Sequence, residues 1–186
     1  MSAAPALRLA LPDDVARMEA LIARSGIELS AGFYSERQAA AVTRHVFGVD
    51  SQLIADQTYF LIEQDGALLA CGGWSKRRTL FGGDRAKSGA DPLLDPALEA
   101  ALEAARIRAF FVAPDMARRG LGRQLLRHCS EQALAADFDA LELAATMPGV
   151  PLYLAAGFDV VERFELSLPG DVSVPLARMR KHIGPL

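Results

Sequence analysis

Residues 106–126 read RIRAFFVAPDMARRGLGRQLL, a strand, a turn and the opening of a helix in immediate succession. The run 106–112 (RIRAFFV) is rich in β-branched and aromatic residues, reads as a strand, and is ended by Pro114. Leu121, Leu125 and Cys129 then recur on one face at helical spacing, so residues 120–136 read as an amphipathic helix. Gly120-Leu121-Gly122 opens it. The first N–H groups of a helix have no intrahelical partner, and the helix dipole favours negative charge there. Glycines let backbone approach a ligand closely, and Arg118, Arg119 and Arg123 add positive charge. Together they predict a phosphate or pyrophosphate cradle over residues 118–123. No Gly-Lys-Ser/Thr is present, which excludes a P-loop. The turn lacks G-x-G-x-x-G, so a Rossmann dinucleotide site is unsupported.

Outward from this segment, strands and helices alternate. Residues 6–10 (ALRLA) read as a first strand. Pro12-Asp13-Asp14 opens a helix carried by Val15, Met18, Leu21 and Ile22 to about Ser25, where Gly26 is expected to stop it. A second helix begins near Ser35-Glu36, and residues 51–55 add a helical turn. Residues 58–63 (TYFLIE) and 67–74 (ALLACGGW) flank Asp65-Gly66 as a hairpin. Residues 76–100 form a long Gly/Asp/Pro-bearing excursion of the kind that covers functional sites, with a short helix expected in 95–104. Residues 140–144 read as the next strand and 151–156 as a short helix closed by Gly157. Residues 158–168 and 172–179 pair as a final hairpin through Pro169-Gly170. The order predicts an α/β fold: a twisted mixed sheet of about seven strands flanked by helices, in one domain spanning residues 1–186.

Composition narrows the function. Half the chain is apolar, enough for a sizeable core, and the formal net charge of −3 lacks the basic excess of a nucleic-acid binder. No segment is long and apolar enough to span a membrane, the N-terminus has no basic n-region before an apolar run, and no asparagine is present for N-glycosylation. Cys71 and Cys129 cannot build a disulfide framework and read as reduced thiols of a cytoplasmic protein. His45, His128 and His182 are scattered, so no metal site is expected. No G-x-S-x-G signals a serine triad. Cys129 lies on the apolar helix face and Cys71 in a strand, so neither reads as a nucleophile.

Residues 117–122 (ARRGLG) resemble the pyrophosphate-binding motif A of the GNAT superfamily of N-acetyltransferases, R/Q-x-x-G-x-G/A after the fourth strand. Tyr153-Leu154-Ala155-Ala156-Gly157-Phe158 looks like the family's motif B, and the element order is similar across nearly the whole chain, as in small bacterial members. Ala117 departs from the usual Arg or Gln, and Thr146 stands where many members carry Asn. The resemblance implies a sheet splayed between strands four and five, with the pantetheine arm of acetyl-CoA paired to backbone at Phe110, Phe111 and Val112. An N–H near Val112 would polarise the thioester carbonyl, and residues Arg118, Arg119, Gly120, Leu121, Gly122 and Arg123 would hold the diphosphate.

The activity so implied is N-acetylation of a primary amine, on a small molecule, by direct attack in a ternary complex. Tyr153 would protonate the departing thiolate. Glu142 or Glu103 would take the amine's proton, with a water chain as the alternative. Phe33, Tyr34 and Trp74 would line the acceptor site. Protein N-termini or lysines are a second acceptor class, and a non-catalytic acyl-CoA sensor is the rival from another class. Family members often pair through strand edges, so a homodimer through the C-terminal hairpin is a further expectation.

Overall fold

The computed structural model describes residues 4–98 and 103–185. Its strands are β1 (Ala6–Leu9), β2 (Tyr59–Gln64), β3 (Ala67–Ser75), β4 (Ala105–Val112), β5 (Ala140–Thr146), β6 (Asp159–Leu168) and β7 (Val172–His182). Its helices are α1 (Val15–Glu28), α2 (Glu36–His45), α3 (Ser51–Ala55), α4 (Leu121–Ala135) and α5 (Val150–Ala155). The strands make one open seven-stranded sheet in the order β1-β2-β3-β4-β5-β7-β6. All pairings are antiparallel except β4 with β5. That parallel pair holds register only at Ala105↔Leu141 and Arg106↔Glu142, and the two strands then part.

The strand period of two divides the core. Phe60 and Ile62 of β2 pack with Leu121, Leu125 and Cys129 of α4 on one face. Tyr59 and Leu61 pack with Met18 and Ile22 of α1 on the other. A further cluster joins Val42 of α2 to Val174 and Leu176 of β7. Among the described residues, no helix is long and apolar enough to cross a membrane.

Two sequence expectations change. Gly26 does not end α1, which continues through it to Glu28. A Cβ at Gly26 would lie 2.6 Å from Thr43 Oγ1 and 2.7 Å from the Phe47 ring, so glycine is there to let α1 cross α2 closely. The helix expected in 95–104 is only a turn at 95–98, and residues 99–102 lie outside the described part. The excursion after β3 is a pinned flap. Arg77 pairs with Leu93 as a bridge, Gly83 N donates to Val46 O at 3.0 Å, and Asp84 N donates to Val49 O at 3.0 Å.

The entry to α1 is fixed by charge. Arg8 donates through both terminal nitrogens to Asp14, at 2.8 Å each, and through Nε to Glu63 at 2.9 Å, so β1, β2 and α1 share one guanidinium. Leu11 N also donates to Asp14 Oδ2 at 2.8 Å. The Arg8 hydrogen bonds hold the buried Asp14 carboxyl down at about 2. A carboxyl depressed on folding stabilises above its unfolded value and loses that contribution as pH falls through the folded value. Asp14→Ala should therefore lower stability at neutral pH by on the order of 2 kcal/mol. In denaturant titrations the gap from the parent protein should narrow between about pH 4 and pH 2.

Candidate active site

The opening between β4 and β5 begins at a bulge. Ala109 adopts φ 56°, and the β3–β4 register shifts so that Cys71 faces Phe111 while Gly73 faces Arg108. Such an insertion bends a strand away from its neighbour. The Tyr59 hydroxyl, buried beneath, donates to Ala109 O at 3.3 Å and stands 3.6 Å from Cys71 Sγ. A Cβ at Gly72 would come within 2.7 Å of the Phe110 ring, so only glycine lets that ring lie over β3. Ala113 N donates back to Leu69 O at 2.8 Å. Successive N–H groups of a strand point to alternate edges, so Val112 N–H faces the opening toward β5. Phe110, Phe111 and Val112 are half-buried, with Phe111 edge-on to Phe47 at 5.0 Å.

At the start of α4, Arg118 has φ 62° and Gly120, the residue before the helix, φ 86°. None of the N–H groups of residues 118–123 donates to an acceptor among the described residues. The first to do so is Gln124, to Gly120 O at 2.9 Å. The two glycines act differently. A Cβ at Gly120 would meet nothing within 4 Å, so its requirement is the positive φ. One at Gly122 would meet Leu152 of α5 at 3.1 Å, so its requirement is close packing. Leu121 is buried and anchors the turn. Arg118, Arg119 and Arg123 are exposed and make no ion pair among the described residues. A row of free amides with cationic side chains suits a phosphate-bearing anion.

A cavity of about 110 Å³ passes through the sheet at the opening. On the α4–α5 side it is lined by Gly149, Phe110 and Tyr153. On the α2 side it is lined by Val42, Val46, Phe81 and Leu176, and Ala144 to Thr146 of β5 complete the wall. Tyr153 sits in the core with its ring 5.7 Å from Phe158 and 6.4 Å from Phe110. Its hydroxyl has no hydrogen-bond partner among the described residues, and the residue lines the cavity. Burial pushes the phenol's pKa well up, which keeps it a proton donor.

The carboxylates expected nearby are engaged elsewhere. Glu142 is buried and accepts from Arg178 Nε at 2.8 Å and Arg180 Nη1 at 3.2 Å, with Arg106 Nη1 at 3.4 Å. Glu103 is buried and pairs with Arg78 at 3.1 Å. Neither lines the cavity. The expected acceptor residues also stand apart. Tyr34 spends its hydroxyl on backbone, donating to Pro175 O at 2.7 Å and accepting from Met147 N at 3.0 Å. Phe33 is exposed, and Trp74 points into the α4-side core, edge-on to Phe138 at 6.2 Å.

Sequence reasoning missed the flap tip Phe81-Gly82-Gly83, the end of α2 and Arg108, all of which line the cavity. Arg108, buried in an apolar strand run, was the available signal. It pairs with Asp50 and, at 3.2 Å, with Asp91.

Residues 28–158 match the acetyltransferase (GNAT) family, and the chain belongs to it. It is thereby an enzyme of the acetyl-CoA-dependent acyltransferase class. No curated protein sequence matches it. Among solved structures, it is similar to a GCN5-related N-acetyltransferase from Rhodopseudomonas palustris at 20% identity and TM-score 0.70, with 98% of each chain covered. It is also similar to the putative acetyltransferase yncA from Salmonella typhimurium with acetyl-CoA, at 12% identity and TM-score 0.61, covering 99% of this chain and 96% of that one. A third is the paia N-acetyltransferase from Thermoplasma acidophilum in complex with coenzyme A, at 13% identity and TM-score 0.63, covering 97% and 99%. At these identities the likeness defines the fold.

The two cysteines stand outside the chemistry. Burial pushes the Cys71 thiol up to about 12 and Cys129 higher still. An aromatic disulfide reagent at neutral pH should titrate neither thiol in the folded protein and both after denaturation. Rapid labelling of the folded chain would contradict this placement.

Proposed function

We propose that the protein transfers an acetyl group from acetyl-CoA to a primary amine of a small molecule, by direct attack in a ternary complex. The observation that carries this reading is Tyr153, its hydroxyl unpartnered among the described residues, lining a cavity that joins the free edge of β4. The open amides of residues 118–123 lie on the loop and helix that follow that strand. The residues fit the cosubstrate. Those amides, with Arg118, Arg119 and Arg123, suit its diphosphate, and the β4 edge at Phe110 and Val112 suits the amide-bearing pantetheine arm. Acetyl-CoA supplies an acyl group already activated as a thioester.

Val112 N–H, aimed into the opening, meets the negative charge that develops on the acyl oxygen. Tyr153 donates its proton to the sulfur as the carbon–sulfur bond breaks and the carbon–nitrogen bond forms. The nitrogen's surplus proton leaves to water and so restores the phenol. No carboxylate lines the cavity among the described residues. Apolar walls themselves favour the neutral, nucleophilic amine over its ammonium form. Two free cysteines support a reducing, cytoplasmic setting, and one sheet running through the described chain supports a single catalytic domain.

Tyr153→Phe should lower kcat on the order of a hundredfold or more while leaving acetyl-CoA affinity within a few-fold. Unchanged turnover at saturating acetyl-CoA would remove the general-acid role. With its phenol raised, the parent enzyme should show no falling limb of kcat near pH 10, the ordinary tyrosine value. Gly120→Ala, strained at positive φ, should weaken coenzyme A binding by about tenfold in calorimetry. Glu103→Gln should leave kcat within a few-fold, whereas a large loss would restore that carboxylate as the base.

A further inference from the structure

Arg108 immediately precedes Ala109, the residue whose φ of 56° marks the bulge in β4. Its side chain is 1% exposed. Nη2 pairs with Oδ2 of Asp50, the buried residue just before α3, and Nη1 pairs with Oδ2 of Asp91 at 3.2 Å. The other oxygen of Asp50 takes Lys87. Two cations and two anions thus balance in the interior. Nε of Arg108 finds no hydrogen-bond partner among the described residues. A guanidinium withdrawn from water this completely is a poor choice for stability alone, because its desolvation offsets its ion pairs. A geometric role accounts for it better.

That role follows from the pleat. Side chains of a regular strand alternate between the two faces of the sheet. Ile107 packs on the α4 side. Arg108 turns to the other face, toward Asp50 and α3. Ala109 packs on that same face, with Met18 and Ile22 of α1 and Leu53 of α3, and Phe110 returns to the α4 side. Two consecutive residues on one face are the sign of an inserted residue. Gly73 faces Arg108 and Cys71 faces Phe111, so three steps along β4 answer two along β3. The insertion inverts the alternation for every residue beyond it. In a regular strand the Val112 N–H would turn toward β3, and the opening would receive the N–H of its neighbours instead. Fastening Arg108 to its own face therefore fixes where the inserted residue sits.

Resting on the acyl-transfer reading, we infer that Arg108, held by Asp50 and Asp91, is a positioning residue. It locks the inserted residue at Ala109 and so selects the Val112 N–H as the donor that meets the acyl oxygen. Arg108 acts through the backbone of β4 and Asp50 acts through Arg108.

Carbon-13 NMR of acetyl-CoA labelled at the thioester carbonyl, bound to the intact protein, tests this without any amine. A donor on the thioester oxygen draws density from the carbonyl carbon and moves its resonance downfield. The parent protein should show that downfield position. Arg108→Met and Asp50→Asn should return the resonance most of the way to that of free acetyl-CoA. Their coenzyme A affinity in calorimetry should stay within a few-fold, because the amides of 118–123 are untouched. Arg108→Lys, which keeps a cation for Asp50, should hold the resonance nearer the parent position than Arg108→Met does. Thermal unfolding identifies the variants that are folded at the temperature of the spectra. A resonance unmoved in the folded variants overturns the inference and leaves acyl transfer standing. So does a loss of downfield shift matched by an equal loss of coenzyme A affinity, which is the result of a merely structural role. A parent protein that binds acetyl-CoA with its carbonyl at the free position removes the Val112 donor and the inference with it. A parent protein that binds no acetyl-CoA overturns both the inference and the acyl-transfer reading.

Discussion

Two parallel strands that pair for only two residues and then separate are the constraint on which the site depends. Arg106↔Glu142 is the last rung between β4 and β5. Beyond it, the β4 backbone on that side has no strand to bond, a condition a buried edge tolerates only when something else supplies partners. The separation is built by the positive φ of Ala109, braced from below by the Tyr59 hydroxyl and accommodated by Gly72 under Phe110. A non-glycine residue at positive φ stores strain, and such strain persists where the surroundings over-determine it. Here the Tyr59 hydroxyl of β2 and Gly72 of β3 do so, and the result is an opening through an otherwise continuous sheet.

The open amides of 118–123 and the opening between β4 and β5 belong to one continuous piece of chain. β4 delivers the backbone through Pro114 into a turn whose Arg118 and Gly120 are left-handed, and the amides of 118–123 emerge unbonded at the start of α4. The helix dipole adds to the field of three exposed arginines there. Rigidity comes from the interior. Leu121, Leu125 and Cys129 lock α4 onto β2 and β3, while Gly122 lets α5 approach and so carries Tyr153 to the opening. On the far side, the flap is fastened by ion pairs of Arg108, Asp50 and Lys87. Pairs this deeply buried set geometry more than they add net stability.

Local pattern carried the elements, and contact between distant segments carried the rest. Strand and helix periods, Pro114 and the Gly120-Leu121-Gly122 opening were legible because each is decided within a few residues. Gly26 misled because glycine stops a helix or permits a close crossing, and only the position of Thr43 and Phe47 distinguishes the two. Glu142 looked available because register, not sequence proximity, brings Arg106, Arg178 and Arg180 onto it. Trp74 looked like a pocket aromatic, but the pleat of β3 turns it into the α4-side core. Tyr34 likewise serves as a clip between β7 and the β5–α5 loop. The α2-side wall of the cavity escaped notice because its members come from α2, the flap and β7, which nothing short of the fold assembles.

Backbone amide NMR of the labelled protein during titration with acetyl-CoA tests the account most directly. Resonances of Val112 and of residues 118–123 should show the largest shifts, together with slowed amide exchange, because their N–H groups pass from solvent to ligand. Saturable binding that leaves these amides unperturbed while shifting another part of the sheet would contradict it.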